Sequence, residues 1–248
     1  MDIYNDDCFN IFPKIEDKSI NLFLLDLPYA NKKFGNCTAC AWDTPIDLDK
    51  MWIEIKRTMK PNGIIVFFCN TKFGCCLINS NPKWFKYDLI WEKSRKVGFL
   101  SANKQPLRKH ENIYIFKDKG GTYNPQKTEG KPYIFLRQNA GIYSETIENI
   151  PTINKGDRHP TSILPEFETT ILKFNNPHKT VHRTQKPVDL LEWLIKTYSN
   201  EGDLVMDFCM GSGSCGVACM NTKRKFIGVE RDEDIFKLAE KRLEKFLN

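Results

Sequence analysis

The chain has 248 residues, of which 41% are hydrophobic and 27% are charged, and its formal net charge is +6. This balance is typical of a soluble globular protein of one sizeable domain, with room for a smaller inserted lobe. No apolar run approaches the roughly twenty residues that a membrane helix needs. A mildly basic surface permits a polyanionic partner without requiring one.

The N-terminal residues and the cysteines indicate a cytoplasmic protein. Residues 1–7 are acidic and lack the basic and apolar regions of a signal peptide. Nine cysteines are then expected to be reduced thiols, most of them buried. Cys37-Thr38-Ala39-Cys40 has the spacing of metal ligands, but no second such pair follows, and no Glu follows His178 in the pair His178 and His182. We therefore expect no metal.

The first half of the chain predicts alternating strands and helices. Apolar residues at helical spacing predict a helix through Leu48, Met51, Trp52, Ile55 and Met59, and Pro61-Asn62-Gly63 predicts the turn that ends it. Short apolar runs predict buried strands at Ile20–Leu25, Ile64–Phe68, Tyr87–Trp91 and Ile113–Phe116. From about Lys93 to Arg183 the period is lost and Gly, Pro, Asn, Lys and Thr become frequent, which indicates a loop-rich inserted lobe.

Regular patterns return in the last quarter. Pro187 is suited to be the first residue of a helix, whose apolar face carries Leu191, Leu194, Ile195 and Tyr198. A strand over 203–208, a glycine turn, a helix over 214–220, a strand over 226–230 and a final helix follow. This order is typical of half a nucleotide-binding sheet. We expect an α/β, Rossmann-like fold whose sheet is completed by the N-terminal half.

The glycine turn has two interpretations. Gly211-Ser212-Gly213 stands between a strand and a helix, and Glu230 closes the next strand seventeen residues after Gly213. A carboxylate in that place can accept both hydroxyls of a ribose, and glycines let a ligand approach the backbone. The alternative is a plain structural turn followed by a surface glutamate.

Four motifs, in order, resemble the DNA amino-methyltransferases in the permuted β group, where the catalytic motif precedes the cofactor motif. Asp26-Leu27-Pro28-Tyr29 is similar to the family's Asp-Pro-Pro-Tyr, and residues 207–214 are similar to its cofactor turn. Thr184-Gln185-Lys186-Pro187 matches the family's Thr-Gln-Lys-Pro, and Asp6-Asp7-Cys8 approximates an early Gly-Asp-Cys. The resemblance covers nearly the whole chain.

This resemblance implies a catalytic site at the first motif. Hydrogen-bond acceptors for both N–H groups of an exocyclic amine would make its lone pair available. The Asp26 carboxylate and the backbone carbonyl of Leu27 can be these two acceptors. Pro28 fixes the turn that aims this carbonyl. Tyr29 offers a stacking face for the base, a contact worth roughly 1–3 kcal/mol.

The implied methyl donor is S-adenosylmethionine, whose sulfonium is already activated. Asp7 and Cys8 are expected near its adenine, Glu230 near its ribose, and Thr184, Gln185 and Lys186 near its methionine carboxylate. The complete set of expected cofactor-binding residues is Asp7, Cys8, Asp26, Thr184, Gln185, Lys186, Asp207, Phe208, Met210, Gly211, Ser212, Gly213 and Glu230.

Several positions depart from the family pattern. Leu27 replaces the first proline. The expected cost is about 0.4–1 kcal/mol of stability, because the unfolded chain has more conformational entropy without this proline. Phe208 and Cys209 replace Pro-Phe after Asp207, which puts cofactor affinity in question, and Cys215 replaces a common threonine.

Double-stranded DNA is the implied substrate, because a base-handling motif needs an extruded base and a basic surface that binds the phosphates. A solvated lysine-rich surface is the alternative interpretation of the basic cluster. The lobe of about 93–180 is expected to recognise the target sequence. The expected DNA-binding residues are Lys93, Arg95, Lys96, Lys104, Arg108, Lys109 and Arg158.

The resulting hypothesis is a sequence-specific DNA adenine N6-methyltransferase. Relatives acting on cytosine N4 more often carry Ser where Asp26 stands. Alternatives are a cytosine N4-methyltransferase, a non-catalytic DNA-binding subunit with a spoiled cofactor pocket, and an enzyme acting on glutamine side chains or RNA. Possible protein partners are a second copy of the chain and a cognate restriction endonuclease. If the enzyme is encoded by a phage, it would act in the cytoplasm of the host.

Overall fold

The computed structural model describes residues 1–30, 44–126, 128–129, 133–137, 150–154, 157–158, 170–177, 180 and 185–246. Contacts divide the chain into two compact units. The larger unit comprises Met1–Asn124 and Thr170–Asn248, and the smaller unit is Pro125–Thr169.

The larger unit begins with strands and helices in alternation. Its elements up to residue 124 are β1 (Asp2–Asn5), α1 (Cys8–Ile11), β2 (Ile20–Leu25), α2 (Leu48–Thr58), β3 (Met59–Cys69), α3 (Thr71–Ser80), β4 (Phe85–Val97) and β5 (Arg108–Phe116). Asp47 and Asn70 cap α2 and α3, because their side chains accept backbone N–H groups of the first turn.

The smaller unit contains two short antiparallel pairs. Its strands are β6 (Thr128–Glu129), β7 (Tyr133–Arg137), β8 (Ile150–Asn154) and β9 (Asp157–Arg158), with β6 paired to β9 and β7 to β8. The inserted lobe predicted at about 93–180 spans both units, since residues 93–124 and those from 170 onward belong to the larger one.

The chain then completes the larger unit. Its remaining elements are β10 (Ile171–Phe174), α4 (Val188–Tyr198), β11 (Leu204–Asp207), α5 (Ser214–Asn221), β12 (Lys225–Glu230) and α6 (Glu233–Leu243). None of the helices in the described ranges is long and apolar enough to cross a membrane.

The eight strands of this unit form one sheet in the order β1-β12-β11-β2-β3-β5-β4-β10. All neighbours pair in parallel except those of β5, which is antiparallel to β3 and to β4. The C-terminal strands β11 and β12 therefore lie between β2 and β1, as expected for a sheet completed by the N-terminal half.

Helices cover both faces of this sheet. Alternate residues of each strand point to opposite faces, so Phe23 and Leu25 pack with α1, α2 and α3, whereas Leu22 and Leu24 pack with α4, α5 and α6. Three layers with buried parallel strands explain why these strands read as unbroken apolar runs.

Several predicted elements need correction. Pro61-Asn62-Gly63 does not form a separate turn but lies within β3, as a bulge: Ile20 pairs with Met59, while Leu22 pairs with Ile64. The extra residues of one strand therefore loop out between the two pairs. Pro187 caps α4 instead of starting it, and β1, α1 and α3 were not predicted.

Candidate active site

Four parallel strands end at one edge of the sheet, and each end carries an acidic residue. Asp6 follows β1, Asp26 follows β2, and Asp207 and Glu230 are the last residues of β11 and β12. All four line one cavity of about 740 Å³. The carboxyl ends of parallel strands are where open α/β sheets bind their ligands.

The cavity collects most of the predicted site residues. Its wall includes fourteen of the predicted catalytic and cofactor-binding residues: Asp7, Cys8, Asp26, Leu27, Pro28, Tyr29, Gln185, Lys186, Asp207, Phe208, Met210, Gly211, Ser212 and Glu230. Gly213 lies behind the wall, where a Cβ atom would meet Leu243 at 3.1 Å. Thr184 lies outside the described residues.

Asp26 is held by two side chains. Its Oδ1 atom accepts a hydrogen bond of 3.1 Å from the Tyr29 hydroxyl, and its Oδ2 atom forms an ion pair with Lys186 Nζ. Burial raises the pKa of the Asp26 carboxyl, although Lys186 acts in the opposite direction. Asp26 is therefore a better proton acceptor than a surface aspartate would be.

Glu111, at the cavity-facing end of β5, was missed by the sequence analysis. It accepts a hydrogen bond from the Tyr29 hydroxyl, and its Oε2 atom lies 2.6 Å from Lys93 Nζ. Its Oε1 atom lies 3.5 Å from Lys186 Nζ. An acid two residues before the apolar run of the predicted strand Ile113–Phe116 was the available signal, and nothing in the local sequence indicates its partners.

Lys93 needs a correction. It was predicted to face DNA phosphates, but its side chain is only 16% exposed and it pairs with Glu111 in the cavity wall. Two carboxylates and two ammonium groups thus meet with balanced charge. Burial alone would raise the pKa of Glu111, but Lys186 and Lys93 outweigh burial and lower it to about 2. Burial alone would lower the pKa of Lys186, but Asp26 and Glu111 raise it.

The Tyr29 ring is fixed on one side. It stacks on Phe73 of α3, with ring centroids 5.5 Å apart and an angle of 24° between the planes. Together with the two acceptors on its hydroxyl, this contact sets the orientation of the ring at the cavity wall. Phe73 thus covers one face of the Tyr29 ring.

Glu230 and the glycine turn form the opposite part of the cavity. Glu230 accepts hydrogen bonds from the backbone N–H of Gly211, at 3.0 Å, and of Asp232, at 2.9 Å. Each oxygen keeps a second lone pair for a ligand hydroxyl. Gly211 has a φ of +53°, and a Cβ atom there would meet no atom within 4 Å, so its missing side chain leaves open space.

The thiols and Asp207 are neutral in this cavity. Burial raises the pKa of Cys8 to about 12 and that of Asp207 to about 8, and it also raises the pKa of Cys209. Protonated thiols are poor nucleophiles and line the space as small apolar groups. Protonated Asp207 can donate a hydrogen bond as well as accept one.

The departures from the family pattern are accommodated by packing. The Phe208 ring packs against Phe12 and Phe23, with centroids 5.2 and 6.1 Å away. Phe208 therefore contributes to the core while its residue still borders the cavity. Cys215 is also buried.

The remaining basic residues differ in their surroundings. Arg95, Lys96 and Lys104 are exposed, whereas Lys109 pairs with Glu92 at 2.8 Å. Arg108 donates from Nε to the His110 carbonyl, and its Nη2 atom is buried without a hydrogen-bond partner. Arg158 is described only as part of β9. Among the described residues, no three His, Cys, Asp or Glu side chains are grouped to hold a metal ion.

The strand order, the glycine turn and the acidic strand ends define an α/β protein of the Rossmann-like methyltransferase class. Residues 20–241 match the family model N6_N4_Mtase, described as DNA methylase. The chain belongs to this family of DNA methylases.

A curated relative and two solved structures illustrate the similarity. The chain is 44% identical over 264 residues to the Type II methyltransferase M2.DpnII of Streptococcus pneumoniae, which covers 98% of this chain and 90% of that protein. A structure of the M1.HpyAVI-SAM complex superposes with a TM-score of 0.66 at 24% identity, covering 98% of both chains. The cytosine-N4-specific PvuII DNA methyltransferase superposes with a TM-score of 0.69 at 15% identity, covering 97% of this chain and 85% of that one.

Proposed function

We propose that this protein is a sequence-specific DNA adenine N6-methyltransferase that uses S-adenosylmethionine and acts on an adenine extruded from the duplex. One observation carries the proposal: Asp26-Leu27-Pro28-Tyr29 shares a cavity with Gly211 and Glu230. A group that handles an amine and a turn suited to a nucleoside therefore face the same space, in a chain that belongs to the DNA methylases.

On the base side, Asp26 accepts one N–H of the target amine and the Leu27 carbonyl accepts the other. This draws the nitrogen towards a tetrahedral shape, which makes its lone pair available for attack. Each oxygen of Asp26 has one protein partner, so the amine can use a remaining lone pair or replace one of these partners. Lys186 can turn from Asp26 towards Glu111, whose Oε1 atom is 3.5 Å away.

Tyr29 completes this side of the site. Its ring is held by Phe73 on one face and by Glu111 and Asp26 at its hydroxyl, so it presents a preorganised wall to the base. The raised pKa of Asp26 suits it to take up the proton that the amine loses on methylation.

On the donor side, the residues fit a nucleoside-bearing cofactor. Glu230 has free lone pairs for the ribose hydroxyls, Gly211 leaves space at the turn, and Asp7 and Cys8 border the adenine. Gln185 lines the cavity and is assigned to the methionine carboxylate, while Lys186 belongs to the Asp26 network. S-adenosylmethionine supplies a methyl group already activated on its sulfonium, and the solved relative M1.HpyAVI forms a complex with it.

Adenine N6 is proposed over cytosine N4 because position 26 is Asp, where cytosine-specific relatives more often carry Ser. The fold does not discriminate, since the cytosine-N4-specific PvuII methyltransferase shares it. Similarity to the Type II methyltransferase M2.DpnII supports placing this protein in a cytoplasmic restriction-modification system with a cognate endonuclease.

The proposal is tested with purified protein, isotopically labelled S-adenosylmethionine and unmethylated duplex DNA, followed by digestion to nucleosides. We expect the label in N6-methyladenine. Label in N4-methylcytosine would support the proposed methyl transfer but would show that the target base is cytosine and not adenine. No label and no cofactor binding would favour a non-catalytic DNA-binding subunit, whereas cofactor binding without label would direct the search to RNA or protein.

A further inference from the structure

The loop between β4 and β5, residues 98–107, extends from the edge of the sheet that carries the cavity. β5 is antiparallel to β3 and to β4, so β4 runs in the same direction as β3 and β2. The carboxyl end of β4 therefore lies at the same edge as Asp26. Trp91, Lys93 and Val97 of β4 line the cavity, which places the loop at its margin.

The tip of this loop exposes large apolar side chains. Leu100 is fully exposed and Phe99 is 82% exposed, in a short 3-10 turn that begins after Gly98 at a φ of +93°. An exposed apolar patch that is rimmed by polar or charged residues is characteristic of an interaction site. Within the described part of the chain, these two side chains are left exposed.

The positive charge around the tip favours a negatively charged partner. From Lys93 to His110 the sequence holds six Lys or Arg and no Asp or Glu. Arg95, Lys96 and Lys104 are exposed beside the tip. A surface that combines positive charge at its flanks with apolar side chains at its apex fits a duplex, where phosphates border a stack of apolar base faces.

We propose that the β4–β5 loop is a DNA wedge: Leu100 and Phe99 enter the base stack and fill the gap left when the target base moves into the cavity. The inference rests on the proposed function, since it needs a duplex and an extruded base. Apolar side chains inserted between base steps unstack them, and this lowers the cost of extrusion. Arg95, Lys96 and Lys104 hold the phosphates on either side.

The test compares Phe99→Ala/Leu100→Ala with the wild type and with Ile53→Ala. Ile53 lies on α2, is 64% exposed and does not line the cavity, so it controls for the loss of an exposed apolar side chain. The site is first located by sequencing DNA that the wild-type protein has methylated. Three duplexes of that site are then made: fully paired, with an abasic position opposite the target, and with 2-aminopurine as the target.

On the paired duplex we expect the double variant to methylate about tenfold more slowly or worse, and to lose the rise in 2-aminopurine fluorescence. On the abasic duplex, where the target is already unpaired, its rate should return to within about twofold of the wild type. Unchanged melting temperature and cofactor binding should show that folding is intact, and Ile53→Ala should match the wild type throughout.

Three results would overturn the wedge while leaving the proposed function in place. Equal rates on the paired duplex would show that the tip is dispensable, and an equal loss on both duplexes would reduce the loop to a contact surface. A change of sedimentation in the double variant without DNA would assign the tip to an interface between two copies. If the wild type methylates no DNA at all, the proposed function fails, and the wedge fails with it.

Discussion

Asp26, the proposed acceptor of the substrate amine, is a carboxylate that already has two protein partners. The Tyr29 hydroxyl and Lys186 occupy its oxygens, and Glu111 is the second carboxylate to which both of these groups bind. In the proposed mechanism, Glu111 thus offers Lys186 a second carboxylate to pair with when the amine binds Asp26. At the scale of single residues, the proposed mechanism therefore rests on the contacts of Asp26 as much as on the motif itself.

Replacing Asp26 separates chemistry from cofactor binding. In Asp26→Ala we expect the methylation rate to fall by about 10²–10⁴-fold. The amine would lose both a hydrogen-bond acceptor and the group that takes up its proton. Affinity for S-adenosylmethionine should stay largely intact, since Glu230 and the glycine turn are unchanged. Single-turnover methylation and equilibrium binding of the cofactor measure the two effects, and Asp26→Asn controls for shape. Near-normal methylation by Asp26→Ala would remove Asp26 from its proposed role.

Removing the charge of Glu111 tests the buried network. Glu111→Gln leaves two ammonium groups facing one carboxylate, so we expect the free energy of unfolding to fall by about 3 kcal/mol. Turnover should also fall, because Lys186 would bind Asp26 more tightly. Denaturant unfolding and methylation rates measure these effects.

A matched control for this variant is Glu92→Gln. Glu92 pairs with Lys109 at 2.8 Å on the same two strands, but both side chains are partly exposed. Its loss should cost less than about 1 kcal/mol. Equal destabilisation by the two substitutions would contradict a special role for the Glu111 network.

At the scale of elements, the turn between β11 and α5 is the part of the fold proposed to bind the cofactor. Gly211 needs a positive φ and opens onto the cavity, whereas Gly213 also needs a positive φ but packs closely against α6. Gly211 therefore leaves open space at the cavity, and Gly213 allows α5 and α6 to pack closely. Gly-Ser-Gly at the end of a buried strand meets both needs within three residues.

Gly211 can be tested against another glycine with the same backbone requirement. Gly202 has a φ of +81° and, like Gly211, no atom within 4 Å of an added Cβ, but it does not line the cavity. Gly211→Ala and Gly202→Ala should each destabilise the protein by about 1 kcal/mol. Only Gly211→Ala should weaken S-adenosylmethionine binding, by about tenfold or more in Kd.

Calorimetric titration and thermal unfolding of both variants provide the comparison. Equal loss of cofactor affinity in both would mean that general strain, and not the space at Gly211, governs binding. Unchanged affinity in Gly211→Ala would place the cofactor away from this turn.

At the scale of the whole molecule, burying Asp207 makes folding depend on pH. The ordinary pKa of 3.8 rises to about 8 in the folded protein, chiefly because of burial. Between these values the folded carboxyl is protonated while the unfolded one is ionised, so unfolding releases a proton. The contribution of Asp207 to the free energy of unfolding is therefore greatest below pH 3.8, and it decreases as the pH rises towards 8.

We expect Asp207→Asn to flatten this decline, because an amide resembles the protonated carboxyl at every pH. Each pH unit within the window is worth up to about 1.4 kcal/mol for one proton. Urea unfolding of the wild type and the variant from pH 5 to 9 gives the two slopes. Parallel curves would show that Asp207 ionises normally in the folded state.

The sequence by itself determined the strands at Ile20–Leu25 and Phe226–Glu230, the glycine turn and the family, because these features depend on residues that are neighbours in the chain. Buried parallel strands appear as apolar runs, and a catalytic motif at a strand end keeps its own order and spacing. The bulge at 61–63 was misjudged because turn residues can also interrupt a strand without ending it.

Only the tertiary structure decided which charges meet. Tyr29 and Glu111 are 82 residues apart, and Asp26 and Lys186 are 160 apart, so their contacts depend on the order and register of the strands. Lys93 resembled a surface lysine in the sequence, yet it lies in the cavity wall because β4 ends beside β5 at the edge that holds Asp26. Periodicity indicates which face of an element is buried, but the partner of a buried charge is set by the packing of elements that are distant in the chain.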